Sequence, residues 1–487
     1  MAEEDYVPDP RRWRALAVTL AAGFMTLLDV SIVNVALPSM QRGLHASPQG
    51  IQWVVSGYAL AFGLTLVAGG RLGDVLGRRR MFLIALTAFV ITSAAAGAAP
   101  NEALLVTARL AQGLAAGTLT PQNSGLIQDL FRGAERGKAF GMLGATIGIS
   151  TAAGPVIGGL ILALFGEQDG WRWVFYVNVP IGVVALVLTR RLVPKIEPRG
   201  ESVRSQIDFL GMALLGLATV GVLFPLVQAE GGGSPLLWLI LPVAAALGFG
   251  FVQWERRMLA SGHSPLLDLR LFTDTSGFAS GITLASIYFC GFSGIWLVLS
   301  LFFQDGLHYT PLQSGLAVTP FALGSAATAA VAGRLVSRWG RRLTVVGLCL
   351  IVVGLSVGAV LIPMVSAGHT GLVLILPLLI AGIGGGAVIS PNTTLTLACV
   401  PNTMSGSAGG ALQTGQRIGT AVGTAVLASA FRITVSHTHG DFPDAASVAI
   451  ACSVVFILAA LGVAIIELRA GRRTNVGAGA PVPEAHG

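Results

Sequence analysis

Charged side chains are scarce in this sequence of 487 residues. They make up 11% of the chain, and 53% of the residues are hydrophobic. A soluble domain carries about 25% charged residues, so a chain of this length with so little charge cannot coat a soluble globule. We therefore expect most of its surface to contact lipid. Lysine is almost absent while alanine and glycine are abundant, which is typical of a GC-rich bacterial genome.

The sequence also lacks the residues that several common sites require. Its four cysteines lie in or at the end of apolar segments and none is paired with another by spacing, so we expect neither a disulfide nor a metal site. No G-x-x-x-x-G-K-[ST] phosphate-binding sequence occurs, which argues against an ATP-driven pump. We expect no cofactor, and a proton gradient as the energy source. The cysteines are Cys290, Cys349, Cys399 and Cys452.

Long apolar runs are what the sequence has instead. A helix needs about 20 mostly apolar residues to cross a membrane, and such runs occur fourteen times. Backbone groups in lipid must bond within their own segment, so each run is predicted to be a helix and not a barrel strand. The first run follows three arginines but is too long for a signal peptide and lacks a cleavage site, so we predict a retained span. The predicted spans are 14–37, 50–70, 81–99, 103–127, 138–165, 173–193, 207–228, 236–255, 275–301, 311–333, 343–363, 372–394, 407–431 and 445–466.

The basic residues segregate by loop if the chain crosses fourteen times. All but five of the 30 lysines and arginines fall at the termini and in alternate loops on one side. Arg42, Arg172 and Arg432 fall in the opposite loops, and Arg109 and Arg417 fall inside spans. The positive-inside rule predicts a multi-pass inner-membrane protein with both termini in the cytoplasm. It also explains the net charge of +7 without a nucleic-acid partner, because the cations flank the inner leaflet.

A ten-residue pattern occurs twice. Residues 70–79 read GRLGDVLGRR and residues 333–342 read GRLVSRWGRR, and both are predicted to lie in cytoplasmic loops. Repeated halves with a substrate site between them are common in transporters. Two spans between the copies have no counterpart, so we predict six helices, two additional helices and six more. The predicted units are a first half over 1–193, a connector with the additional helices over 194–274, a second half over 275–466 and a cytoplasmic tail over 467–487.

Three formal charges are predicted to lie deep in spans, where each costs about 2.5–3.5 kcal/mol on insertion scales. Asp29 and Arg109 lie at similar depths, roughly 12 Å and 9 Å below the outer ends of their helices, so they can pair if the helices touch. A carboxylate there can carry a proton under the control of the arginine, although a purely structural ion pair is an alternative. Arg417 shares a helix face with Gln413, and its role as an anion site, a link to backbone carbonyls or a coupling residue stays open.

Several segments resemble one transporter family. GGRLGDVLGRRR at 69–80 is similar to the loop between helices 2 and 3 of the major facilitator superfamily, which in that family latches the cytoplasmic side and affects gating. A positive loop with turn glycines would explain a single copy, but two copies at one spacing weaken that explanation. The resemblance implies an all-α polytopic major facilitator fold with two six-helix pseudo-repeats. It implies a gating role for Gly70, Asp74, Gly77, Arg78 and Arg79.

Two further segments concern the buried charges. RLAQGLAAG at 109–117 is similar to the helix-4 element in which the family's arginine takes part in proton transfer, which implies that role for Arg109. LLDVSIVNVALPSM at 27–40 resembles the helix-1 signature of the fourteen-helix drug:proton antiporter branch, which places Asp29 on the critical acid of that branch. The segments IQWVVSGYAL at 51–60, WRWVFYVNVPIG at 171–182 and SPLLDLRLF at 264–272 also resemble this branch.

Two more segments carry glycine patterns. GISTAAGPVIGG at 148–159 resembles the helix-5 element of antiporters, although Ser150 replaces one of its glycines. Glycines there predict a close helix contact and the proline a bend, and simple packing is the alternative. GALQTGQRIGTAVG at 410–423 resembles the branch's helix 13, where the order Arg-Gln is commoner than the Gln-Arg found here. The helix-5 match comprises Gly154, Pro155, Gly158 and Gly159.

A substrate cavity is expected between the halves, lined by polar and aromatic side chains from both. Aromatic rings with a polar tip suit amphipathic ligands, although each residue taken singly also fits helix packing or an interface anchor. The candidates are Asn34, Tyr58, Gln122 and Asn123 in the first half, and Tyr288, Phe292, Trp296, Gln413 and Arg417 in the second.

Together these patterns predict a proton-coupled antiporter that exports drugs, antibiotics or other small organic compounds by alternating access. We expect a monomer whose partners are the bilayer, protons and a small-molecule substrate, and not an enzyme. Proton-coupled uptake on the same fold is one alternative, and a membrane scaffold or sensor that transports nothing is another. The sequence does not name the substrate.

Overall fold

All regular structure in the described part of the chain is helical. The computed structural model describes residues 8–166, 168–195, 208–230, 234–365 and 368–477. The first helices are α1 Arg12–Leu44, α2 Pro48–Leu76, α3 Arg78–Gly97, α4 Glu102–Leu130, α5 Gly133–Phe165, α6 Trp171–Tyr176, α7 Asn178–Leu192, α8 Phe209–Glu230 and α9 Ile240–Ala260. They are followed by α10 Arg270–Thr273, α11 Phe278–Leu301, α12 Pro311–Trp339, α13 Arg341–Leu361, α14 Thr370–Val373, α15 Ile375–Thr396, α16 Ser405–His437 and α17 Phe442–Gly477.

Twelve of the fourteen predicted spans correspond to helical stretches that are both long and apolar enough to cross a membrane, within the described ranges. Of the other two, α4 has 29 residues and is less apolar, and α5 has 33 residues, of which Val156–Phe165 form a shorter apolar stretch among the described residues. Several helices extend past the predicted ends, and α17 continues to Gly477 through the start of the predicted tail. The predicted span 173–193 is divided at Val177 into α6 and α7. Apolarity marks only the lipid-facing length of a helix, so it locates these ends poorly.

The two halves pack in matching ways. In the first half α2 and α3 pack on α4 and α1 packs on α5; in the second half α12 and α13 pack on α15 and α11 packs on α16. Each half then presents its fifth long helix to the second helix of the other, so that α5 contacts α12 and α16 contacts α2. This exchange is what a pseudo-two-fold repeat requires.

The repeated glycines lie where the halves touch. A Cβ built on Gly70 of α2 would overlap the carbonyl of Gly406 in α16, and one on Gly333 of α12 would lie 2.5 Å from the carbonyl oxygen of Gly137 in α5. Only glycine allows helices to approach so closely. Both copies are helical up to Leu76 or Trp339, so the prediction that they form loops is wrong. The repeat is therefore a pair of helix contacts between the halves.

The two additional helices lie at the edge of the bundle. α8 packs on α9 and also on α2 and α16, one helix from each half. Trp254 of α9 donates its Nε1–H to both carboxylate oxygens of Asp208, just before α8, at 3.0 Å. The other side of α9 is open, since Val243 and Phe249 are 58% and 67% exposed. Apolar side chains this exposed are what a lipid-facing helix requires.

Candidate functional site

Asp29 and Arg109 form an ion pair inside the first half. Asp29 lies on α1 and Arg109 on α4, and their side chains are 0% and 2% exposed. The Nη1 atom of Arg109 lies 2.7 Å from Oδ2 of Asp29. The pairing predicted from their depths is therefore present, because α1 and α4 are in contact. Two opposite charges neutralise each other at a place from which bulk water is excluded.

Two amide side chains complete the surroundings of Asp29. Gln112 donates from Nε2 to Oδ1 of Asp29 at 3.0 Å, and Asn178 of α7 donates from Nδ2 to the same oxygen at 2.9 Å. Asn178 also contacts Oγ of Ser93 on α3 at 3.1 Å. The sequence analysis named neither amide. The spacing of three residues from Arg109 could have indicated Gln112, whereas Asn178 is distant in sequence and only its place in WRWVFYVNVPIG pointed to it.

Arg109 is held by more than its counter-ion. Its Nε donates to the carbonyl of Val54 on α2 at 3.0 Å, and its guanidinium carbon lies 4.1 Å from the centre of the Tyr58 ring and 5.7 Å from that of Phe175. Leaving one partner of a buried ion pair uncompensated typically costs several kcal/mol. A change in the charge of either side chain would therefore leave the other without its counter-ion.

The end of α2 is fastened to the start of α16. Asp74 accepts hydrogen bonds from the backbone N–H groups of Gly406 at 3.0 Å and Ser407 at 2.9 Å. The free N–H groups and partial positive charge of a helix start favour a carboxylate. Arg78 donates to the same carboxylate at 3.0 Å. We call these four residues the latch; it joins the two halves at their basic side, the side of the arginine-rich loops.

The latch differs from the predicted gating loop in two ways. Gly77, with φ of 93°, is the single turn residue between α2 and α3, so Gly70 and Asp74 are helical. Arg78 is 7% exposed and does not anchor to the leaflet, because its guanidinium donates to the carbonyl of Gly125 at 2.6 Å. Arg79 donates to the carbonyl of Arg190 at 2.6 Å. A buried arginine with backbone and carboxylate acceptors needs no headgroup.

The helix-5 element of α5 packs on α1. A Cβ built on Gly154 would overlap Ser31, and one on Gly158 would lie 3.1 Å from α1. Nothing lies within 4 Å of a Cβ built on Gly159, so its expected place in a close contact is wrong. The side chain of Pro155 falls outside the described part of the chain. Two glycines of the pattern thus set the distance between α1, which carries Asp29, and α5.

The first-half cavity candidates separate in the structure. Gln122 is fully buried and donates to the carbonyl of Gly69 at 2.8 Å, so it fastens α4 to α2 and does not line a cavity. Asn123 is 3% exposed and packs against α1, since a Cβ built on Gly23 of that helix would lie 2.9 Å from its Nδ2 atom. Asn34 is exposed on α1. Of the four, Tyr58 alone contacts the ion pair directly, through Arg109.

Aromatic side chains gather on α11. Tyr288 and Phe292 stack with ring centres 5.3 Å apart, and the ring of Trp296 lies edge-on to Phe321 of α12 at 4.9 Å. We call these four residues the aromatic cluster. The Tyr288 hydroxyl and the Trp296 Nε1 are buried, and neither has a hydrogen-bond partner in the part of the chain that the structure describes. Phe321 was not predicted, since a lone phenylalanine in an apolar run carries no signal. The cluster offers flat apolar contact and two unused polar atoms.

Arg417 lies on α16 in a setting unlike that of Arg109. Its guanidinium carbon is 4.3 Å from the centre of the Phe62 ring on α2. The structure assigns it no hydrogen bond or ion pair within the described ranges, so a link to backbone carbonyls is not present. Gln413, one turn earlier, is half-buried. The role of this arginine is thus not explained by protein contacts.

Metal ligands do not gather in the part of the chain that the structure describes. No group of three or more histidine, cysteine, aspartate or glutamate side chains is placed there to hold an ion. The site consists of the buried ion pair, the latch and the aromatic cluster.

Comparison with known proteins gives a consistent result. The sequence model of the Major Facilitator Superfamily matches residues 19–424 and 281–480. The chain is 37% identical to the probable actinorhodin transporter of Streptomyces coelicolor over 87% of this chain and 73% of that protein. It is 34% identical to the puromycin resistance protein pur8 of Streptomyces alboniger, over 98% and 95% of the two chains. It is 33% identical to the tetracenomycin C resistance and export protein of Streptomyces glaucescens, over 89% and 78%.

Solved structures match the fold at low sequence identity. A human organic anion transporter superposes with a TM-score of 0.67 at 16% identity, covering 94% of this chain and all of the other. A proton:xylose symporter superposes with a TM-score of 0.64 at 15% identity, covering 92% and 94%. These matches agree with the paired halves described above. With the sequence matches along nearly its whole length, they make this chain a multi-pass membrane protein that belongs to the Major Facilitator Superfamily.

Proposed function

We propose that the chain exports drug-like organic compounds across the cytoplasmic membrane and couples export to proton entry by alternating access. Export is supported by three relatives at 33–37% identity whose names refer to transport of, or resistance to, an antibiotic. Proton coupling rests on one observation: Asp29 is fully buried and hydrogen-bonded by Arg109, Gln112 and Asn178. Ionisable groups inside a membrane are costly, and they commonly mark proton or substrate pathways.

In the proposed cycle the proton binds to a carboxylate oxygen of Asp29 and separates it from Arg109. The guanidinium keeps its bond to the Val54 carbonyl and its contact with Tyr58, so it can move only with α2 and α4. The latch also lies at the end of α2. Protonation of Asp29 would therefore act on the helix that closes the basic side, and release of the latch would open the cavity to the cytoplasm.

Fourteen crossings and a cytoplasmic basic side belong to this proposal. The helices α4 and α5 are 29 and 33 residues long, more than the roughly 20 residues that span a membrane. Both pack among helices that are apolar enough to cross. Polar side chains such as Arg109 and Gln112 lower the apolarity of α4, and they point to partners inside the bundle. We expect a monomer in a bacterial membrane.

Asp29→Asn tests the proposal. The substitution keeps the size of the side chain but removes the charge that binds a proton. We expect at least a tenfold loss of uphill export from cells that are given a panel of antibiotics, with normal membrane insertion. Asp169→Asn is the matched control, because that side chain is 76% exposed and its ion pair among the described residues is with nearby Arg172.

Four outcomes would contradict the proposal. Undiminished export by Asp29→Asn would remove proton coupling through this residue. Export that survives collapse of the pH gradient would remove proton coupling altogether. In inverted vesicles, an exporter accumulates substrate when the interior is acidified, whereas an importer does not. Absence of accumulation under these conditions, with flux in the opposite direction, would show that the protein is an importer. No flux in any preparation would leave the scaffold alternative.

A further inference from the structure

We infer that Arg417 recognises the ionised acidic group of a flat aromatic substrate, such as a carboxylate or a phenolate. This inference rests on the proposed function and adds the chemical class of the compound. It assigns to Arg417 direct contact with the substrate, and to the aromatic cluster contact with the substrate's rings.

The first step is that Arg417 has no acidic partner. The buried Arg71 also lacks one among the described residues, whereas three other buried arginines each pair with an acid: Arg109 with Asp29, and two at the basic side. Those two are Arg78 with Asp74 and Asp129, and Arg341 with Glu467. Among the described residues Arg417 has no ion pair or hydrogen bond, and its one cation–π contact is with Phe62. An arginine inside a membrane bundle is costly unless something else supplies its acceptors.

The second step is that Arg417 lies on the side of α16 that faces α2, a helix of the other half. Ala421, four residues after Arg417 and so on the same side of α16, belongs to a cluster with α2 and α8, whereas Gly419 and Gly423 lie against α11. Arg417 instead lies over a ring of α2, the helix opposite. Its guanidinium is therefore placed between the halves, where a substrate site is expected.

The third step connects Arg417 to the aromatic cluster. Thr420, less than one turn beyond Arg417, contacts Ser293 of α11 through their hydroxyl oxygens at 3.0 Å. Ser293 directly follows Phe292 of the cluster. The unpartnered Tyr288 hydroxyl and Trp296 Nε1 can donate to oxygen acceptors on a ligand. The helix whose rings can stack with aromatic compounds thus packs on the helix whose guanidinium can bind anions.

The fourth step concerns the sign of the charge. Asp29 is the carboxylate at the ion pair, and Arg109 already neutralises it, so it offers no free charge to a cationic drug. Tyr58 lies within electrostatic range of both Arg109 and Arg417. An anion bound at Arg417 would therefore approach the same aromatic patch that supports Arg109. Substrate and proton would each change the balance of charge around these two arginines.

The experiment measures binding to the purified full chain in lipid nanodiscs. The probes are anthraquinone-2-carboxylate and its neutral carboxamide, which share one ring system and differ in charge. We expect Arg417→Gln to weaken binding of the carboxylate by about 10–100-fold, the range expected for a lost charge-assisted contact, and to change carboxamide binding by less than threefold. Arg417→Lys should restore part of the loss. Arg432→Gln, an exposed arginine of the same helix, is the matched control and should bind like the wild type.

Other results overturn the inference. Equal affinity of the wild-type protein for the two probes would show that the protein does not recognise the negative charge of the carboxylate. An equal loss of both probes in Arg417→Gln, with an unchanged melting temperature, would assign the arginine to packing. Asp29→Asn separates this inference from the proposed function: it should keep carboxylate binding while losing uphill export. Normal export by Asp29→Asn would reject proton coupling alone, and unaltered carboxylate binding by Arg417→Gln would reject the substrate class alone.

Discussion

The carboxylate of Asp29 accepts hydrogen bonds from three side chains, and each donor has a different second partner. Arg109 also binds Val54, Gln112 also binds Arg109, and Asn178 also binds Ser93. Each donor is thus oriented by a further contact, which fixes the geometry around the acid. The network is not complete, since Oδ1 of Asn178 is buried without a hydrogen-bond partner among the described residues. Any movement of one donor changes the surroundings of the Asp29 carboxylate.

Asn178→Leu tests the importance of this network at the residue scale. The substitution keeps the approximate volume but removes a donor to a charged oxygen, a contact worth about 1.5–3 kcal/mol. We expect uphill export to fall roughly tenfold or more, measured as drug accumulation in energised cells. Ser93→Ala is the control, because it removes the other partner of Asn178 and leaves the bond to Asp29 intact. A larger loss in the control than in Asn178→Leu would contradict this account.

The sequence allowed the ion pair to be predicted, but not the two amide side chains that donate hydrogen bonds to Asp29. Depth along a helix follows from counting residues at 1.5 Å each, so Asp29 and Arg109 could be placed at one level. Which side chain of α7 meets that level depends on how α7 rotates and packs. Gln122 shows the reverse error: its polarity suggested a cavity, whereas its buried amide bonds to the backbone of α2.

At the scale of helices, glycine contacts close the basic side. Gly70 and Gly406 bring α2 to α16, and Gly137 and Gly333 bring α5 to α12. The second copy of the repeat has Ser337 where the first has Asp74. The carboxylate of the latch is therefore present at only one of the two equivalent contacts. Opening would break a charged latch on one side and an apolar contact on the other.

Gly70→Leu should open this side. A larger side chain would meet the Gly406 carbonyl, and overpacking of this kind costs about 1–3 kcal/mol, which favours separated halves. Spin labels at the exposed Arg80 and Arg338 should then report a longer mean distance across the basic side. Gly159→Leu is the control, since nothing lies near a Cβ built there.

Asp74→Asn supplies a second variant in case Gly70→Leu does not fold. It keeps the shape of the latch but removes the charge that the start of α16 attracts, an effect of about 0.3–2 kcal/mol. The same pair of labels should again report a longer mean distance. An unchanged distance distribution in both variants would mean that the latch does not hold the halves together.

For the whole molecule, the number of crossings is decided by α4 and α5. In a cysteine-free background we would place single cysteines at Pro100, Ala134 and Asp169, before α4, at the start of α5 and after α5. If both helices cross, a membrane-impermeant maleimide added to intact cells labels Pro100→Cys and Asp169→Cys but not Ala134→Cys. Labelling of all three would place both helices on one side and reduce the count to twelve. Ser261→Cys, after α9, is the control for a site on the cytoplasmic side, which the maleimide should not label in intact cells.

Composition alone determined that lipid is the main solvent of this chain and that its apolar runs are helices, because unpaired backbone groups are not tolerated there. The spacing of arginines and glycines determined the repeat and the expected orientation. Only the tertiary structure decided which groups meet. Asp74 contacts Gly406, more than three hundred residues away in sequence, and Arg109 pairs with an acid, whereas Arg417 has no ion pair among the residues that the structure describes. The physical reason is that composition sets how polar a helix is, whereas the packing of distant helices sets what each polar group touches.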